Sequence, residues 1–277
     1  MLTQKLVADS SADTIALSGV DYASVPLKIV TAEREYVDDA GLDTAAMVTQ
    51  LEHYHGRSST ACPSPGDWLA AFGDAEEVFC LTITSGLSGS YNAACIAKRD
   101  YEEAHPGRRV LVVDSLSAGP ELRLLLEKLR ELLQEGRAFG EIAKEIERCR
   151  QRTALLFMLQ SLRNLARNGR VSPLLAKAAG FLGIRLVGRA SAEGTLEPLE
   201  KCRGEKKSLT SLLQNMEAMG YDGGPVRISH CFAGDAAESF RQQLLGRYPH
   251  ACVEIYPSRG LCSFYAEQGG LLIGFES

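Results

Sequence analysis

Glu77-Val78-Phe79-Cys80-Leu81-Thr82-Ile83-Thr84-Ser85-Gly86-Leu87-Ser88-Gly89-Ser90-Tyr91-Asn92 reads as a strand that runs out into a loop and then opens a helix. Apolar residues crowd positions 78 to 83, glycines and hydroxyls follow, and Ala93-Ala94-Cys95-Ile96-Ala97 resumes at helical spacing. The next extended run, Arg109-Val110-Leu111-Val112-Val113, completes a strand-helix-strand unit and predicts a parallel sheet. In an open α/β sheet the carboxyl ends of the strands face the ligand crevice, and a helix start offers free N–H groups at a positive dipole end. With hydroxyls at Ser85, Ser88 and Ser90, the loop suits a carboxylate or phosphate. Any one of these serines is more simply a helix cap, as we expect for Ser88 and Ser90. Two further segments strengthen the ligand reading. Ser59-Thr60-Ala61-Cys62-Pro63-Ser64-Pro65-Gly66-Asp67-Trp68 places hydroxyls before a proline-initiated helix, and Asp114-Ser115-Leu116-Ser117-Ala118-Gly119 ends the following strand.

Outward from this unit, Lys5-Leu6-Val7-Ala8 predicts a first strand that turns at Asp9-Ser10-Ser11-Ala12-Asp13. Val25-Pro26-Leu27-Lys28-Ile29-Val30 predicts a second, near an edge because of Pro26. Thr31 to Gly41 is too polar for a core element, and Asp43 caps a helix running through Met47, Leu51 and Tyr54. The stretches Glu121–Gln134 and Phe139–Arg150 are amphipathic helices that cover the sheet. Asp9 and Asp114 read as structural residues holding the loops.

The pattern changes near residues 150 to 155. Ala154–Leu159 is extended, Leu162–Leu165 helical, and two runs at 184–188 and 195–201 are joined by Ala192-Glu193-Gly194 as a hairpin. Helices around 205–219 and 234–246 alternate with strands at 226–230 and 251–255, and the chain closes on an apolar run at 269–275. The expected fold class is therefore α/β with two domains. Residues 1–152 form an α/β/α domain with a parallel sheet and hydroxyl-rich ligand loops, and 153–277 an α+β domain with a largely antiparallel sheet.

A chain of 277 residues exceeds the usual single-core size, in keeping with two domains. A net charge of −5 leaves no broad basic surface for nucleic acid. The eight cysteines are dispersed without a CxxC pair and read as small core residues in a reducing compartment, neither disulfide nor metal ligands. No run approaches a membrane span and no targeting segment is recognised, so a cytoplasmic protein is expected. The competing enzyme reading is a serine hydrolase acting on a lipid-like ester. Gly86-Leu87-Ser88-Gly89-Ser90 approaches a nucleophile elbow, yet its second glycine is displaced and a triad would need His230 or His250.

Several segments together resemble the DegV family of bacterial fatty-acid-binding proteins. Val7-Ala8-Asp9-Ser10-Ser11 is similar to the family's first-strand motif, and Thr60-Ala61-Cys62-Pro63-Ser64-Pro65-Gly66 to its Thr-Ser-x-Pro-Ser-Pro-Gly loop. Thr84-Ser85-Gly86-Leu87-Ser88-Gly89-Ser90-Tyr91 matches its Ser-Ser-x-Leu-Ser-Gly-Thr-Tyr signature, and Asp114-Ser115 its Asp-Ser pair. Leu162 to Arg170, ending Asn-Gly-Arg, and Gly194 to Lys207, with Cys-Arg-Gly-Glu-Lys-Lys, follow its carboxy-terminal half. The resemblance implies one long-chain fatty acid with its tail in a tunnel between the domains and its carboxylate at the mouth. It also implies a separate fatty acid kinase as partner, no cofactor, and no catalysis by the chain itself. A carrier of another amphipathic acid or phospholipid would use the same loops. Carried over by position, the carboxylate contacts are Thr60, Ser85 and Gly86, with Arg203 supplying positive charge. Tyr265, in Tyr265-Ala266-Glu267-Gln268-Gly269-Gly270, stands where the family commonly has the histidine of His-Thr-Gly-Pro-Gly-Ala. A phenol donates one hydrogen bond but carries no positive charge, so pairing would lean on Arg203, with Glu267 nearby to oppose it.

Overall fold

The computed structural model of the chain describes residues 2–175 and 183–277. Strands β1 (Gln4–Asp9), β2 (Tyr22–Val25), β6 (Glu77–Thr82) and β7 (Arg109–Asp114) form a parallel sheet in the order β2-β1-β6-β7. Alternation along the strands sends Leu6, Ala8, Phe79 and Leu81 to one face, against the leucines of α4 (Pro120–Gln134) and Ile142 and Ile146 of α5 (Phe139–Arg150). Val7, Val78 and Cys80 face the other way, against Trp68 and Phe72 of α2 (Pro65–Phe72) and Ala94, Ala97 and Tyr101 of α3 (Ser90–Ala104). All six residues of β6 are buried, as a strand covered on both faces must be.

The second sheet has six strands in the order β10-β9-β8-β13-β11-β12: β8 (Thr153–Leu159), β9 (Ile184–Ala190), β10 (Leu196–Arg203), β11 (Val226–His230), β12 (Val253–Pro257) and β13 (Leu271–Glu276). Every pairing is antiparallel except that of β11 with β12. One face packs Leu156, Met158, Ile228 and Ile273 on helices α7 (Glu205–Ala218) and α8 (Gly234–Arg247). The first turn of α4 also rests on this sheet: a Cβ at Gly274 would lie 2.4 Å from the Glu121 nitrogen and 2.5 Å from the Pro120 carbonyl carbon. Backbone cannot yield as a side chain does, so Gly274→Ala is expected to lower stability by about 2 kcal/mol or more, read as a shifted denaturant midpoint.

Two expectations need correction. The run Val25–Val30 is not one strand: Pro26 has no N–H for a ladder, and the chain leaves β2 to enter β3 (Lys28–Val30) in another sheet. Thr31–Gly41 does hold a core element, β4 (Glu35–Val37), because Tyr36 turns inward and is 6% exposed. Ser59–Ala61 is strand β5, and the small antiparallel sheet β4-β3-β5 results. Asp43 caps α1 (Thr44–His53) as expected, its carboxylate accepting from the Ala46 amide at 2.9 Å. The short helices α6 (Arg163–Arg167) and α9 (Gly260–Ala266) complete the elements used below. All eight cysteines are free and five are buried. No helix among the described residues is long and apolar enough to cross a membrane.

Two carboxyls are buried where the sheets meet. Glu121 accepts a hydrogen bond from the Thr153 hydroxyl at 3.0 Å, Asp13 accepts one from the Arg259 amide at 2.8 Å, and burial pushes both acids up to about 7. At mildly acid pH the fold therefore holds protons that the unfolded chain has already released. Their contribution is fully present below the unfolded values near 4 and is lost as pH rises through about 7, on the order of 3 kcal/mol for each group. Denaturation at about pH 5.5 and about pH 8 should give the higher midpoint at the lower pH, and the opposite order would contradict this assignment.

Candidate functional site

Because β1, β6 and β7 are parallel, the loops at their carboxyl ends emerge on one edge, at 10–13, 83–89 and 115–119. Asp9 ties two of them together. Its buried carboxylate accepts from the Ile83 amide at 2.9 Å, the Ser90 hydroxyl at 2.7 Å, and the Ser11 amide and hydroxyl. Burial still raises its pKa, against the pull of these bonds. Asp114 holds the other pair, accepting from the Ser85 and Leu116 amides at 3.1 Å each. Ser90 is thus a ligand of Asp9 rather than a cap. The N-cap of α3 is Gly89, and Ser88 accepts from the Ser90 amide at 3.3 Å.

Facing these loops across a cavity of about 360 Å³ is the second face of the six-stranded sheet. Leu155, Phe157 and Leu159 alternate inward along β8, and Leu196 and Leu272 flank them. Leu27, Ile83 and Ala118 come from the loop edge of the parallel sheet, and Leu261 and Ala266 from α9. Among the described residues, Ala61, Cys62, Gly89 and Thr195 are lining residues that remain exposed, so the cavity meets solvent there.

The polar lining is concentrated in a few groups. Thr60 and Tyr265 hydroxyls meet at 2.7 Å, joining β5 to α9. The Arg170 guanidinium lies 6.0 Å from the Tyr265 ring centroid and donates through Nε to the Leu87 carbonyl at 3.2 Å. Burial raises the Tyr265 phenol, while the Thr60 bond and the Arg170 charge lower it. Thr84 accepts the Gly86 amide at 3.0 Å and packs under the β9–β10 turn: a Cβ at Gly194, whose φ is +72°, would sit 2.0 Å from the Thr84 hydroxyl. Ser88 and Gly89 bring the amino end of α3 to the cavity wall.

Of the residues expected at a carboxylate, Thr60 and Tyr265 line the cavity. Gly86 and Ser85 stand beside it: both are exposed, and Gly86 packs within 2.7 Å of the Glu193 carbonyl as measured from a Cβ built on it. Arg203 is not brought to the cavity. It pairs with Ile184 at the far end of the hairpin from Leu196, seven residues and thus roughly 20 Å along the strand. Among the described residues, the cation that does line the cavity is Arg170. It ends the Asn168-Gly169-Arg170 segment, and its presence in that motif was the signal available in the sequence. Glu267 is likewise occupied elsewhere, accepting from the Asn164 amide at 2.9 Å and pairing with Arg163 at 3.4 Å.

The family model described as "uncharacterised protein, DegV family" matches residues 3–276. A DegV domain-containing protein of Streptococcus pneumoniae is 42% identical over 279 residues, with 99% of each chain covered. Among solved structures, a DegV family protein from Eubacterium eligens loaded with heptadecanoic acid superposes with a TM-score of 0.97 at 45% identity, covering 99% of both chains. The fatty acid kinase B3 protein of Streptococcus pneumoniae loaded with linoleic acid gives a TM-score of 0.97 at 42% identity, again over 99% of both chains.

Proposed function

This chain belongs to the DegV family, and on that premise we propose that it binds one long-chain fatty acid between the lobes 1–152 and 153–277. The observation that carries the reading is a cavity with mostly apolar walls in which Thr60, Tyr265 and Arg170 cluster near the opening. The acyl tail lies along Leu155, Phe157, Leu159 and Leu272, and the carboxylate accepts a hydrogen bond from a hydroxyl of the Thr60–Tyr265 pair. Arg170 supplies the charge, and the amino end of α3 adds its positive dipole end. A tail of about sixteen carbons contributes on the order of 10 kcal/mol at ~0.8 kcal/mol per methylene, and each neutral hydrogen bond about 1 kcal/mol. The tail therefore sets affinity, while the head group sets orientation.

The chain presents its ligand to a separate kinase rather than acting on it. The name of the Streptococcus pneumoniae relative supports this. The hydrolase reading lacks a base: none of the five histidines lines the cavity beside Ser88. Organic extraction of the purified protein followed by mass spectrometry tests the central claim. One equivalent of long-chain fatty acid is expected, and a lipid-free protein that also fails to take up added palmitate or oleate would sink it. Acyl phosphate should form only when a fatty acid kinase and ATP are added to the loaded protein.

A further inference from the structure

The polar end of the cavity is built by two elements that are far apart in the chain. Thr60 sits in β5, which pairs with β3 at Ile29↔Thr60, and β3 pairs with β4 at Ile29↔Tyr36. Asp38 follows β4 directly, its amide donating to the Leu27 carbonyl at 2.9 Å. Tyr265 is the next-to-last residue of α9, some 200 residues away. Asp38 reaches the other end of that helix: one carboxylate oxygen accepts the Gly260 amide and the other the Leu261 amide, each at 2.9 Å. The helix has no side-chain cap of its own. The small sheet therefore grips α9 twice, through Asp38 at its start and through the Thr60 hydroxyl at its end.

We infer that Asp38, although outside the cavity, is a positioning residue that fixes where the Tyr265 hydroxyl stands for the ligand's head group. This rests on the fatty-acid reading given above. The physical reason is rigidity. A helix of seven residues is about two turns, so an error at its first amides is carried to Tyr265 within roughly 10 Å. Asp38 is fully buried and charged or polar partners surround it: the Arg259 guanidinium at 3.9 Å, the two amides, and the Ser10 hydroxyl. Asparagine there would turn an N–H₂ group toward an amide donor, leaving Gly260 or Leu261 unpaired and the helix start displaced. Leu155, Phe157, Leu159 and Leu272, on the six-stranded sheet, would still wall the tail, so the defect belongs to the head group.

The test is the ratio of affinities for palmitate and palmitate methyl ester, measured on wild type, Asp38→Asn, Tyr265→Phe and the double variant. Wild type should prefer the acid. Asp38→Asn should lower that preference about tenfold, the size of one lost hydrogen bond to a charged group, with ester affinity unchanged. In the Tyr265→Phe background the same substitution should change the ratio no further. Equal weakening of acid and ester, an unaltered ratio, or full additivity in the double variant would overturn the inference. Gly260→Ala supplies a second route should Asp38→Asn fold poorly, because its Cβ would lie 2.7 Å from the Asp38 carboxylate and force it away with the charge retained. A wild type that binds neither compound would overturn the fatty-acid reading itself, and this inference with it.

Discussion

Replacing Ala118 with phenylalanine is expected to cost the protein its affinity for long acyl chains while leaving short ones bound. Ala118 packs beside Leu27, Ile83 and Leu261 on the wall of a cavity of about 360 Å³, where any added volume must come out of the ligand's space. Displacing about four methylenes back into water forfeits ~3 kcal/mol, a loss of more than a hundredfold for a sixteen-carbon acid. An acid of about eight carbons does not reach as far into the cavity and should lose little. Titration of wild type and variant with a series of saturated acids measures this directly. The variant's curve of affinity against chain length should level off early. Parallel curves would mean that the tail lies somewhere else.

Arg170→Ala should produce the second large effect, now at the head group. The guanidinium is the cation lining the cavity among the described residues, and it also ties the Leu87 carbonyl and the Asn168 carbonyl together. Removing it takes away one charge-assisted bond to a carboxylate, about 2 kcal/mol or roughly thirtyfold in affinity for the acid. It also removes a positive charge that lowers the Tyr265 phenol, so that phenol should titrate at higher pH in the variant. Arg203→Ala, by contrast, should leave fatty-acid affinity where it was, because Arg203 is exposed at the opposite end of its strand. If the two variants traded outcomes, the assignment of Arg170 would fail.

Most elements follow from local chemistry. The bounds of α5 coincide with the periodic stretch Phe139–Arg150, and the β9–β10 hairpin turns at Gly194, where φ is +72°. Ser64 and Asp67 form a reciprocal cap at the start of α2, with bonds of 2.8 Å and 3.2 Å. What was not legible depends on partners distant in the chain. Helix α9 lacks a local cap signal because its cap is Asp38, 222 residues earlier. Arg170 and Arg203 are equivalent as sequence, each an arginine next to a glycine in a polar turn.

Strand by strand, the order of hydrophobic residues determined that this chain would build a parallel sheet first and a mostly antiparallel one after it, since period and turn chemistry act within a few residues. The binding space was decided otherwise. Along β8, Leu156 and Met158 meet α7 and α8 and vanish into core, while Leu155, Phe157 and Leu159 look onto open volume. All five are apolar residues of one strand, and a two-residue period separates them into faces without saying which face stays uncovered. Only the packing of the loop edge, the small sheet and α9 against that face left room there, because a cavity is the difference between surfaces that no single segment carries.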